Sequence, residues 1–158
     1  MKKYNSRMIF PTQKGFTLIE LLITISIIAV LVSLGYPSYQ KYLDESRRID
    51  GQTALLDLAN RMENYYGTHN TYASATLAMN NSETDILPNT SSSAQWYILS
   101  IVNQDDSSYL IQATPQKAQT NDTDCQSLTL SSVGEKNIAE GPQGRPTGTV
   151  NECWRTTN

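Results

Sequence analysis

Residues 14–20 read Lys14-Gly15-Phe16-Thr17-Leu18-Ile19-Glu20, and they open the run FTLIELLITISIIAVLVSLGYPSYQ that extends from Phe16 to Gln40. Glu20 is the run's one strongly charged side chain. From Leu21 to Gln40 there is no Asp, Glu, Lys or Arg, and the next charge is Lys41. A helix of about twenty residues extends about 30 Å, the thickness of a bilayer's hydrocarbon core. Thr24, Ser26, Ser33 and Ser38 can return their hydroxyls to backbone carbonyls, so they do not forbid insertion. Upstream, residues 1–15 (MKKYNSRMIFPTQKG) hold Lys2, Lys3, Arg7 and Lys14 and no acid. The positive-inside rule keeps this flank in the cytoplasm and puts everything after about residue 40 across the membrane.

Three readings of the segment are open. A secretory signal would be cut after the apolar run, where Ser33-Leu34-Gly35 is a passable small-x-small site. The run is long for such a signal and carries an acid near its start. An uncleaved single-span anchor leaves Glu20 without a role. The third reading uses the whole string from Lys14 to Glu20, whose glycine, aromatic and acid are similar in spacing to the class III leader of type IV pilins and the related pseudopilins. That resemblance implies a membrane prepilin peptidase that cuts between Gly15 and Phe16 on the cytoplasmic side and then methylates the new terminal nitrogen.

The physics of Glu20 suits the third reading. A carboxylate in hydrocarbon costs several kcal/mol unless it is neutralised or paired. Cleavage before Phe16 creates a cationic amine four residues away, and methylation keeps that charge. Amine and carboxylate can then lift one another's desolvation penalty. The resemblance implies the intermolecular version, with the Phe16 amine of an incoming subunit meeting Glu20 of one already in the fibre. The alternative is a glutamate sitting at headgroup level. Losing residues 1–15 removes four of the 12 basic side chains and none of the 15 acidic ones, leaving 8 against 15, a side-chain net of −7.

Gly35 and Pro37 sit where the apolar span ends. A proline inside a helix removes a backbone hydrogen bond and typically kinks it. Pro37 is therefore a candidate helix kink, as the resemblance also suggests, with a helix end at the membrane surface as the alternative. A helical pattern resumes from Lys41 to Tyr66, where Leu55, Leu58, Met62 and Tyr65 recur at three- and four-residue steps. The charged residues, Asp44, Arg47, Arg48, Asp50, Asp57, Arg61 and Glu63, are expected largely on other faces. Gly67 fits the left-handed residue that closes a helix.

Residues 67–94 read as a polar connection with turn residues throughout, and His69 within it as a solvated loop histidine. Strand patterns follow in 95–102 (QWYILSIV), 108–114 (SYLIQAT) and 126–133 (QSLTLSSV), with a hairpin loop over 103–107. Tyr97, Leu99 and Ile101 alternate with Trp96, Ile98, Ser100 and Val102, which suits a sheet covered on one side. The expected fold is α+β. A long amino-terminal helix over 16–66, membrane-spanning in its first half (16–40) and amphipathic in its second, packs on a small antiparallel sheet. Residues 67–158 form the exported head.

Cys125 and Cys153 lie beyond the membrane in this topology, where two cysteines in one chain most simply form a disulfide, two unpaired thiols being the alternative. The loop between them is rich in Gly and Pro and expected to hold little regular structure. Such a bridge near the carboxyl end also resembles the disulfide-bounded region of many type IV pilins. The run from Asp124 to Leu130, with Gly134 and Cys153-Trp154, is most similar to the PilE/ComP-type minor pilins.

At 158 residues, with 39% hydrophobic side chains and a mean hydropathy of −0.42, the chain suits one modest domain and excludes a polytopic membrane protein. One His and two Cys cannot build a zinc finger or a multi-histidine site. No phosphate loop, G-x-S-x-G or H-E-x-x-H occurs, so neither enzymatic activity nor a cofactor is expected. Asn121, Asp122 and Asp124 lack the further oxygen donors of a calcium loop and read as a solvated turn.

The resemblance implies a structural, minor subunit of a bacterial type IV pilus, held in the inner membrane with its head in the periplasm and later in the extracellular fibre. Its implied partners are other pilin subunits, the prepilin peptidase, a cytoplasmic ATPase, an inner-membrane assembly platform, and membrane lipid before assembly. Such fibres serve twitching motility, adhesion and DNA uptake. A ComP-like competence pilin that captures DNA is the second reading, with Lys117, Lys136, Arg145 and Arg155 as its candidate contacts. Beyond Gln40, however, 8 basic side chains face 14 acidic ones, and DNA binding usually needs a concentrated basic face. A type II secretion pseudopilin is the third. Its leader would be the same, but the cysteine loop favours a pilin.

Overall fold

The computed structural model describes residues 15–80 and 83–154. Two units divide the chain, Met1–Tyr39 and Gln40–Asn158. Helix α1, Leu18–His69, passes through both and contains Pro37. Thr17 precedes it and begins the hydrogen-bond ladder, its carbonyl accepting the Leu21 N–H at 3.2 Å.

The helix runs past Gly67, contrary to the expected stop. Asn70, at φ 55°, supplies the left-handed residue instead, and its N–H reaches the Tyr66 carbonyl at 2.7 Å. Asparagine tolerates that conformation almost as glycine does. His69 therefore lies in the last helical turn rather than in a loop. It is exposed, and its ring stacks on Tyr65 at 4.0 Å between centroids.

Within the second unit, four strands form an antiparallel sheet in the order β3-β4-β5-β6: β3 Tyr97–Gln104, β4 Tyr109–Pro115, β5 Ser127–Ser131 and β6 Lys136–Ala139. The alternation expected in β3 holds, with Tyr97 and Leu99 buried and Ile98, Ser100 and Val102 exposed. Five elements lie outside the strand patterns read from sequence. The connection 67–94 carries a short parallel pair, β1 Thr76–Leu77 with β2 Asp85–Leu87. The supposedly irregular loop after Cys125 contains β6, whose Leu130–Lys136 and Ser127–Ala139 pairs extend the sheet, and a terminal helix α2, Val150–Trp154. Lys117–Asn121 is a 3-10 helix.

The core is the layer between helix and sheet: Leu55, Leu58 and Met62 from α1 meet Tyr97, Ile111, Ala113 and Leu128. Gly51 marks the closest approach, since a Cβ there would lie 2.8 Å from the Tyr97 ring. Cys125 and Cys153 are both buried and joined, with S–S 2.03 Å and Cα–Cα 5.5 Å.

Candidate functional site

In the amino-terminal unit every residue from Gly15 to Tyr39 is exposed, Phe16 at 86%. Apolar side chains in such number, uncovered by their own chain, need lipid or other helices around them. The hydroxyls do not spoil that surface: Thr24 donates to the Glu20 carbonyl at 2.7 Å, Ser26 to Leu22 at 2.7 Å and Ser33 to Val30 at 2.8 Å.

Glu20 is the third residue of the helix. Its N–H donates to Thr17 Oγ1 at 3.2 Å, so Thr17 caps the helix. Thr17-x-x-Glu20 has the spacing of a capping box, and a helix N-terminus favours a carboxylate. This local reason for an acid at position 20 is legible in the sequence as Thr-x-x-Glu. Gly15 and Phe16 lie just before the helix, whereas residues 1–14, the rest of the expected leader, lie outside the described residues.

In the second unit, Gln40–Asn158, the charged residues do not simply occupy the solvent faces. Arg48 is buried, and its Nε and Nη2 donate to the two carboxylate oxygens of Asp122, each at 2.6 Å. Asp122 is buried too, so the turn expected to be solvated is in part a core feature. Gln119 Nε2 completes the cluster, donating to Asp122 Oδ2 at 3.0 Å and to the Tyr97 hydroxyl at 3.1 Å. Burial pushes the Tyr97 hydroxyl well above the usual tyrosine range, with Asp122 adding to the effect. The signal for Arg48 was its register, because Arg48, Gly51, Leu55, Leu58, Met62 and Tyr65 share one three-and-four-residue stripe.

The four basic candidates do not converge. Lys117 follows the Pro115 end of β4, donates to Gln95 Oε1 at 3.1 Å and lies 5.9 Å from the centre of the Trp96 ring. Lys136 is on the edge strand β6, two strands away from β4, and lies 5.4 Å from the centre of the Trp154 ring. Two strand spacings separate β4 from β6, about 10 Å. Arg145 is paired with Glu140 at 2.7 Å. Arg155 lies outside the described residues. The structure instead sets Arg47 over Trp96, 4.2 Å from the ring centre, on the aromatic residue that Lys117 also approaches. Arg47 is itself shared with Asp44 at 3.5 Å.

A cleft of about 440 Å³ near the disulfide is lined by Lys41 and Arg48 but also by Glu45, Asp124 and Glu152, so it presents no single sign of charge. Among the described residues no cluster of His, Cys, Asp and Glu is placed to hold a metal ion.

Comparison with known proteins gives two family matches. Residues 37–129 match the family described as type IV minor pilin ComP, DNA uptake sequence receptor, and residues 11–36 match the prokaryotic N-terminal methylation motif. Among curated relatives, the type IV major alpha-pilin of Moraxella bovis is 50% identical over 44 residues, 27% of this chain and 28% of that protein. The prepilin peptidase-dependent protein D of Escherichia coli is 53% identical over 38 residues, 24% of this chain and 26% of that one. The chain thus spans under a third of the length of these relatives. Among solved structures, the minor pilin PilV of Neisseria meningitidis aligns at 20% identity with a TM-score of 0.48, covering 68% of this chain and 97% of that one.

Proposed function

The chain belongs to the type IV minor pilin family, and on that premise we propose that it is a minor subunit of a bacterial type IV pilus, processed between Gly15 and Phe16 and drawn into the fibre through Glu20. The family gives it a structural rather than enzymatic part among other pilins, and the methylation motif implies processing by a prepilin peptidase. In this proposal residues 1–15 are the leader, 16–40 the membrane and assembly segment, and 67–158 the head. The amino terminus begins on the cytoplasmic side of the inner membrane, the head begins in the periplasm, and assembly moves the whole outward. An inner-membrane platform and a cytoplasmic ATPase drive that movement. Pro37 is the site of a bend.

One observation carries the proposal. A wholly exposed apolar helix half contains a single acid, Glu20, four residues from the residue that processing makes amino-terminal. Lipid covers that surface before assembly and neighbouring helices cover it afterwards, so the gain on assembly must come from packing and from the amine–carboxylate pair. Glu20→Ala should enter the membrane normally and fall at least tenfold in sheared fibres, measured by immunoblot against the membrane pool. Equal incorporation would remove the pairing step. Mass spectrometry of the fibre subunit should find Phe16 first and singly methylated, and a start at Tyr36 would end the proposal.

A second reading, DNA capture at the fibre, is supported by the family's description as a receptor and by the Arg47–Trp96–Lys117 cluster. The dispersal of Lys117 and Lys136 and the pairing of Arg145 weigh against the four-residue basic face. Salt-sensitive DNA retention by a head fragment beginning at Lys41, lost in Lys117→Ala, would support it. No retention at low salt would dismiss it.

A further inference from the structure

The four-stranded sheet covers one of its two edges and leaves part of the other open. At the β6 edge, Trp154 of α2 donates its Nε1–H to the Asn137 carbonyl at 2.9 Å. At the β3 edge the chain covers only the start of the strand. Ser91 bridges Ile98, the Ser92 N–H donates to the Tyr97 carbonyl at 2.9 Å, and the Leu99 N–H donates to the Thr90 carbonyl at 2.7 Å. Past Leu99 the described residues place no strand there. Leu99 turns its N–H away from β4, and the alternation of an antiparallel ladder turns the N–H and C=O of Ile101, opposite Ile111, the same way. Open edges are usually guarded by charge or proline, yet from Trp96 to Gln104 there is no Lys, Arg, Asp, Glu or Pro. A bulge sits between Ile101 and Asn103, a device found beside binding sites as well as at guarded edges.

A groove of about 510 Å³ runs along this open stretch, and β1 forms its other wall. Thr76 and Ala78 give their N–H groups to Thr84 and Leu87, so Leu77 between them turns its own N–H and C=O away from β2. Two strand edges thus border one groove, and no residue lining it is ionisable. Met79, 71% exposed, and Val102, 52% exposed, supply apolar surface on the two walls. Gln104 ties the walls together, its Nε2 donating to the Ala73 and Ala75 carbonyls at 2.9 and 3.0 Å. Its Oε1 is buried with no partner among the described residues, an acceptor that lacks a donor.

We propose that this groove binds an extended, uncharged peptide segment of a separate protein, which lies between β1 and β3 as an added strand. Backbone edges on both sides call for a ligand with an N–H and a C=O at every residue, and walls without charge call for side chains without charge. Within this unit only residues 81–82 and 155–158 lie outside the described residues. Two residues cannot pair along Ser100–Gln104. The other four follow α2 at the β6 edge and span at most about 14 Å, as much as the three strand spacings between β6 and β3.

The test uses the full chain in detergent, with its disulfide intact, and a displayed library of random octapeptides as the probe. Selection should enrich uncharged peptides in which small polar and branched apolar residues alternate. N-methylation of a central amide in a selected peptide should weaken binding at least tenfold by fluorescence anisotropy, with every side chain unchanged. Asn103→Lys, which puts a charge on the groove wall at an exposed position, should weaken binding as much, whereas Asn137→Lys on β6 should not. Both variants should keep the circular dichroism of the parent. Should Asn103→Lys fail to fold, the N-methylated peptide decides alone. No enrichment over beads without the chain, or binding indifferent to N-methylation or to a folded Asn103→Lys, would overturn the proposal.

Discussion

Asp122→Ala should be among the most damaging single substitutions in the head. It deletes both acceptors of the Arg48 guanidinium while leaving that cation in place, with the two side chains only 7% and 2% exposed. Removing one partner of a buried ion pair costs about 3–5 kcal/mol, because the other charge is left without solvent or counter-ion. For a head of this size the unfolding entropy is on the order of 0.25 kcal/mol/K, taking roughly 2.1 cal/mol/K per residue, so the midpoint should fall by about 12–20 °C. Thermal and urea unfolding of the oxidised fragment from Lys41 onward would measure it by circular dichroism. The paired replacement Arg48→Met with Asp122→Leu removes both charges and should recover most of the loss, since apolar substitutes for a buried pair are often neutral or better. A loss under about 1 kcal/mol for Asp122→Ala, or a double variant as weak as the single, would refute the assignment of the pair as a desolvated, mutually dependent unit.

Other substitutions probe other parts of the molecule. Gly51→Ala gains about 1 kcal/mol of helix propensity but places a methyl 2.8 Å from the Tyr97 ring. Overpacking of about 1–3 kcal/mol should outweigh that gain, and a raised unfolding midpoint would contradict it. Replacing Cys125 and Cys153 together by Ser should cost about 3–4 kcal/mol on the loop-entropy account, read from urea midpoints of the two forms. Asp105 accepts the Ser107 and Ser108 N–H groups and the Ser108 hydroxyl, each at 2.7 Å, and these bonds, led by the hydroxyl, lower its pKa from 3.8 to about 2. A depressed carboxylate stabilises the fold above its unfolded pKa and loses that contribution as pH falls through the folded value. The stability difference between the native head and Asp105→Asn should therefore be constant above pH 3.8 and close towards about 2. A difference unchanged across that interval would discount the turn.

The helix, the sheet and the bridge were legible because each has a one-dimensional signature. The apolar run and the Leu55–Leu58–Met62–Tyr65 stripe repeat at helical steps, β3 alternates in twos, and two cysteines in one chain admit a single internal pairing. β6 escaped notice because Lys136 and Asn137 interrupt the apolar alternation. An edge strand, bonded on one side, tolerates such residues. Residue type alone puts Arg48 and Asp122 in solvent, although Arg48 lies in register with the buried stripe. Only the fold brings together two opposite charges 74 residues apart. The cap at Thr17 was readable from Thr-x-x-Glu alone. Glu20 is thus a helix-terminal residue as well as the one acid of an apolar run.

One helical turn of α1 has a consequence for export. Arg48 holds Asp122, Asp50 accepts the Ser92 hydroxyl at 2.5 Å and the Ala94 N–H at 3.0 Å, and Gln52 donates to the Cys153 carbonyl at 2.7 Å. These links span 74, 42, 44 and 101 residues of chain. Contacts so distant in sequence form slowly and only when both ends are present. On the proposed export of this unit, its last fastening forms only once Cys153 has crossed the membrane. The same links that close the finished fold leave the unfinished chain unfastened.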